Sequence, residues 1–78
     1  MAAVTETLAR RFCIALAEET VGMTPGSWRM LATVAQRMGI TYDEAEAIAD
    51  DCVARLWVNY QMHSVRLREE GRQVAKGK

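Results

Sequence analysis

A mostly α-helical domain that closes on a small β-hairpin is the fold class predicted here, and three observations predict it. Apolar residues recur at helical spacing in three segments between residues 5 and 56. Turn and cap residues separate those segments, at Gly22–Ser27 and again at Gly39–Thr41. After Leu56 the apolar period drops from that of a helix to that of a strand.

Residues 5–20 read as the first helix, with Val4, Leu8, Phe12, Ala15 and Leu16 on one stripe. Its other side is also apolar, since Cys13, Ile14, Ala17 and Val21 lie there beside Arg10. A helix apolar on two sides is either central in its domain or shared with a partner. Thr24-Pro25 reads as the next helix start, a capping hydroxyl followed by a fixed φ where no amide donor is needed. Helix two then runs to about Met38, with Trp28, Leu31, Val34, Ala35 and Met38 turned inward and Gly39 at the left-handed C-cap position. Thr41-Tyr42-Asp43-Glu44 fits a capping box and opens helix three. Ala45, Ile48, Ala49, Cys52, Val53 and Leu56 form its buried stripe, and it ends near Leu56. A link of about three residues makes helices two and three cross closely, as in a helix-turn-helix.

Beyond Leu56, Val58 and Tyr60 alternate with Asn59 and Gln61, and Val65 and Leu67 alternate with Arg66 and Arg68. With Gln61–Ser64 as the loop, Tyr60 faces Val65 and Val58 faces Leu67. The four apolar residues then share one face, and Asn59, Arg66 and Arg68 share the other. Residues 69–75 form a short closing turn of helix, and residues 76–78 are a loose tail. A rival reading stands beside this one. No Pro or Gly falls between Ile40 and Glu70, and Val53, Trp57, Tyr60, Ser64 and Leu67 also fit a helical stripe. The alternative is an all-α three-helix protein whose long third helix runs to about Glu70.

The 78 residues suffice for one domain with a thin core. Formal net charge is zero and the pI is about 6.6, which counts against strong sequence-independent attraction to nucleic acid. The charge is nevertheless polarised. Residues 41–51 hold five acids and no base, whereas residues 55–78 hold six bases and two acids. Cys13 and Cys52 form no metal-binding spacing with each other or with His63 and read as reduced core thiols. No stretch approaches the ~18 apolar residues of a membrane span, and no basic-then-apolar leader pattern opens the chain, so a cytoplasmic protein without membrane contact is expected. A Gly-rich phosphate loop is missing, as is a Ser or Cys nucleophile beside a His base. Asp50 and Asp51 diverge on a helix and cannot share an ion. The reading is therefore a non-enzymatic protein with no cofactor and no metal.

The order of elements resembles a winged helix-turn-helix, and in particular the core of MarR-type bacterial transcription regulators. The resemblance rests on Trp28-Arg-Met-Leu-Ala-Thr-Val-Ala-Gln-Arg-Met-Gly39, on Thr41-Tyr-Asp-Glu-Ala-Glu-Ala-Ile-Ala49 and, most sharply, on Ser64-Val-Arg-Leu-Arg-Glu-Glu-Gly-Arg72. It covers roughly residues 24–75. It implies a small regulatory module that binds duplex DNA as a dimer, with the third helix in the major groove and the hairpin wing beside the minor groove.

Two surfaces compete for that role. The basic one comprises Arg66, Arg68 and Arg72, with Gln61 and His63 at the wing tip, and suits phosphates or a narrow minor groove. The acidic one, Asp43, Glu46 and Asp50 on the outward side of helix three, carries no Lys, Arg, Asn or Gln. It disfavours ordinary groove docking and suits a basic protein partner instead. Ile14 and Ala17, on the apolar back of helix one, are candidates for a protein contact or a homodimer interface. Trp28 and Trp57 read as core residues and the five methionines as gap-fillers.

Overall fold

The computed structural model describes residues 4–77, so Lys78 and the end of the expected loose tail lie outside the described residues. Helix α1 (Glu6–Glu19) starts on Thr5, whose hydroxyl accepts from the Leu8 amide at 3.2 Å. It buries Ala9, Phe12, Cys13, Ala15 and Leu16 and packs against every other helix of the described residues. Its two-sided apolarity therefore reports a central position. Cys13, on the second apolar side of the helix, is in the core, as expected of a reduced core thiol. There it meets Cys52, whose thiol donates to the Ala9 carbonyl at 3.6 Å.

Thr24-Pro25 does not start a helix. The Thr24 carbonyl accepts from the Ser27 amide at 3.1 Å and Gly26 sits at φ +80°, a β-turn with Pro and Gly at its centre. The chain leaves this turn extended as β1 (Arg29–Met30), and α2 (Leu31–Met38) begins only afterwards. Trp28, expected inside a longer helix two, instead lies just before β1 and is 40% exposed. The end of α2 matches expectation. Gly39 is left-handed at φ +73°, and the Ile40 amide reaches the Ala35 carbonyl at 3.1 Å.

Both bonds of the Thr41–Glu44 capping box are present at the start of α3 (Tyr42–Ala54). The helix stops without a glycine. Leu56 takes φ +66° while the Trp57 amide donates back to the Cys52 carbonyl at 2.9 Å, so a leucine occupies the αL position of a Schellman turn. This turn overturns the all-α alternative with a helix running to Glu70. It also directs Leu56 outward, 56% exposed, and leaves Val53 exposed as well, so the buried stripe of α3 ends at Cys52.

Strands β2 (Val58–Gln61) and β3 (Ser64–Leu67) pair antiparallel with Val58 opposite Leu67 and Tyr60 opposite Val65, the expected register. Their turn is tighter than expected, only Met62 and His63, with Met62 at φ +56°. The sheet has a third strand that the sequence did not announce. β1 pairs antiparallel with β3, giving the order β1-β3-β2. Val58, Val65 and Leu67 face the core, and α4 (Glu69–Ala75) closes the domain against α1. The fold is thus mostly helical with a small three-stranded antiparallel sheet. No helix among the described residues is long and apolar enough to cross a membrane.

Candidate nucleic-acid interface

The outer face of the sheet is built from strand alternation. Because Arg29 pairs with Val65, Trp28 stands opposite Arg66, and Asn59 is the partner of Arg66 on the other side. One residue from each extended segment therefore makes a row: Trp28, Arg66, Asn59. The next row is Met30, Ser64 and Gln61. The Arg66 guanidinium lies 5.1 Å from the centre of the Trp28 ring, a cation–π arrangement. The Asn59 amide sits between two guanidiniums. Its oxygen meets Arg68 Nη1 at 3.3 Å or, with the amide turned over, Arg66 Nε at 3.0 Å.

Arg68 and Arg72 are brought to the same region. An open cleft of about 520 Å³ beside the hairpin is lined by Arg66, Arg68 and Arg72 together with the Pro25-Gly26 turn. Two of these arginines are partly neutralised. Arg68 lies 3.8 Å from Glu70, and Arg72 pairs with Glu69, whose carboxyl it holds below the usual range with help from the Gln73 amide. Arg66 has no carboxylate within 4.0 Å among the described residues. Exposed pairs of this kind are weak, so Arg68 and Arg72 can exchange them for phosphates at little cost.

The hairpin tip is fastened to the helices. The His63 carbonyl accepts from the Leu31 amide at 2.7 Å, and His63 Nδ1 lies 2.8 Å from the Tyr42 hydroxyl. His63 thus joins β3 to the starts of α2 and α3, while Gln61 is exposed on the outer face. Burial, with the neighbouring Tyr42 and Glu46, pushes the Tyr60 phenol above its ordinary value.

Asp43, Glu46 and Asp50 are exposed on α3, as expected, and none has an ion-pair partner among the described residues. Glu46 accepts from the Tyr60 hydroxyl at 3.1 Å. On α1, Ile14 is 41% exposed, whereas Ala17 is half-buried against the core. Ile14 lines a shallow cleft with Leu8, Met38 and Ile40, and Arg11, Glu18 and Arg37 bring charge to it. Among the described residues no group of three His, Cys, Asp or Glu side chains lies close enough to hold a metal ion. Sequence reasoning missed Trp28 as part of the site. The signal was Pro25-Gly26, which ends any helix that would have buried it. Comparison with protein-family models, curated proteins and solved structures returns no match.

Proposed function

We propose that this chain is a non-enzymatic winged-helix module that binds duplex DNA through the outer face of its hairpin, in a regulatory role. The succession α1-β1-α2-α3-β2-β3, the three-residue link between α2 and α3, and the sheet order β1-β3-β2 support the winged-helix reading. The observation that carries the binding reading is Arg66, held over Trp28 with no carboxylate neighbour and set beside Arg68 and Arg72. Phosphates approach from this side, because the carboxylates of α3 repel them from the other. Gln61 and the exposed edge of His63 extend the contact toward the tip. The test is fluorescence anisotropy with a labelled mixed-sequence duplex at low salt. Arg66→Ala and Arg68→Ala should each weaken binding and flatten the log–log salt slope by about 1. No anisotropy change at low salt removes the proposal.

A second reading draws on the unpaired carboxylates of α3. Asp43, Glu46 and Asp50 offer a docking face for a basic protein segment, with complementary charge setting on-rate and register. A triple charge reversal that leaves partner capture untouched removes it. The homodimer implied by the family resemblance would use Ile14 of α1 and the 80%-exposed Val21 just beyond that helix. Sedimentation showing a stable monomer at high concentration removes that.

A further inference from the structure

We infer that the outer face of the sheet takes an unpaired nucleic-acid strand, with one base stacked on Trp28. This rests on the reading that the face meets nucleic acid and goes beyond it in stating which form of nucleic acid it prefers.

The starting point is a large aromatic ring in the wrong place for folding. A domain this small needs every apolar side chain it can bury, yet Trp28 is 40% exposed on a polar sheet face. Its neighbours are those a base requires. Asn59 and Gln61 present amides, Ser64 a hydroxyl and Arg66 a planar cation, all on the same side of the sheet. Such groups can donate to and accept from base edges, which only an unpaired base shows in full. An open groove of about 330 Å³ is lined by Trp28, Asn59, Tyr60, Gln61 and Arg66 of the sheet and by Val53 near the end of α3.

Charge decides between one strand and two. The hairpin arginines complement phosphodiesters, but the groove meets α3 at Val53, and Tyr60, which also lines it, donates its hydroxyl to the Glu46 carboxylate. A duplex carries one charge per ~1.7 Å of axis and would bring a second row of phosphates toward that carboxylate, whereas a single strand carries one per ~3.4 Å. The chain is also neutral overall, so counterion release alone gives it little affinity, and stacking supplies what charge does not. The Arg66 guanidinium now over Trp28 marks the position of a planar partner. An incoming base takes that place, and the guanidinium turns to the adjoining phosphate.

The experiment compares a short labelled oligothymidine with a duplex of equal length, by anisotropy and by Trp28 emission in a Trp57→Phe background. The inference expects tighter binding of the single strand, quenching of Trp28, and a roughly 5- to 150-fold loss of single-strand affinity in Trp28→Ala, corresponding to one lost stack. Trp28→Phe should retain most of the single-strand affinity. Should Trp57→Phe fail to fold, the anisotropy of Trp28→Ala against the parent chain decides alone. Duplex binding at least as tight as single-strand binding, or a Trp28→Ala variant that binds the single strand as the parent does, overturns this inference while leaving the duplex proposal standing. If neither nucleic acid binds, both fall.

Discussion

Replacing Gly71 by alanine tests the packing argument most directly. Gly71 lies in the middle of α4, where alanine is normally the better helix former by about 1 kcal/mol. Here the sign reverses. A Cβ at this position would sit 2.0 Å from the Trp57 carbonyl oxygen and 2.9 Å from Leu67 Cδ2, against an ordinary contact limit of 3.4 Å. Neither neighbour can yield cheaply. The Trp57 carbonyl accepts from the Arg68 amide at 2.9 Å, and Leu67 is wedged in the core. Relief requires α4 to lift by more than 1 Å from β3 and α1. Overpacking of this kind costs about 1–3 kcal/mol, and a lost backbone hydrogen bond adds about 1 kcal/mol. With the propensity gain set against these, the net loss is about 1–3 kcal/mol, a fall in Tm of about 5–20 °C for a domain of this size. Thermal denaturation followed by far-UV circular dichroism measures it. Gly39→Ala is the control, because a Cβ there meets nothing within 4 Å and only the left-handed backbone at φ +73° is strained, at about 1 kcal/mol. A Gly71→Ala protein that melts at or above the parent temperature refutes the close approach of α4 to Trp57.

Three further outcomes follow from the same structure. Thr41→Ala removes one arm of the capping box at α3 and should lower stability by about 1 kcal/mol in urea denaturation, with the m value unchanged. Glu19 is held below the usual carboxylate range chiefly by its hydrogen bond from Arg37, with Arg29 adding to it. Its stabilising contribution is therefore present above the ordinary Glu pKa and is lost as pH falls through the lowered value, so the acid limb of a Tm-against-pH curve should be shallower in Glu19→Gln. Hydrogen bonding to Cys13, then burial, raises the Cys52 thiol, and both side chains are fully buried. Neither cysteine should alkylate with iodoacetamide until the chain unfolds, when two labels should appear together by mass spectrometry.

What could be read from the residues divides along a physical line. The hairpin register was legible because pairing Val58 with Leu67 and Tyr60 with Val65 puts all four on one face, and a one-residue slip would turn the pair on one strand outward. The capping box at α3 and the C-cap at Gly39 were legible because each is a local motif with its own hydrogen bonds. β1 was not, since two residues carry no period and Arg29-Met30 is extended only because β3 offers it an edge. Misreading Thr24-Pro25 as a helix start then placed Trp28 indoors. The end of α3 was ambiguous for a related reason. Leu56 is a poor choice for an αL position, and tertiary packing imposes the turn that a glycine would have announced. Of the site, the arginines were visible as charge, whereas their alignment with Trp28 depends on that unannounced strand.

Most acids of α3 already serve the fold. Asp43 and Glu44 sit in its first turn, where carboxylates offset the helix dipole and Glu44 completes the cap. Asp51 pairs with Arg55, and Glu46 receives the Tyr60 hydroxyl that ties β2 to the helix. Asp43 and Asp50 have no side-chain partner among the described residues, and of the two only Asp50 lies outside the first turn. The acidic face therefore follows largely from starting a helix and fastening a strand to it. No such account covers the sheet. Arg66 closes no cap and meets no carboxylate, and Trp28 beneath it buries too little to be explained by the core. Groups that folding does not require are the ones left for binding to explain, and here they lie together on the outer face of the hairpin. If replacing Trp28 and Arg66 together lowered Tm by more than a few degrees, that reasoning would fail, because the pair would then belong to the fold after all.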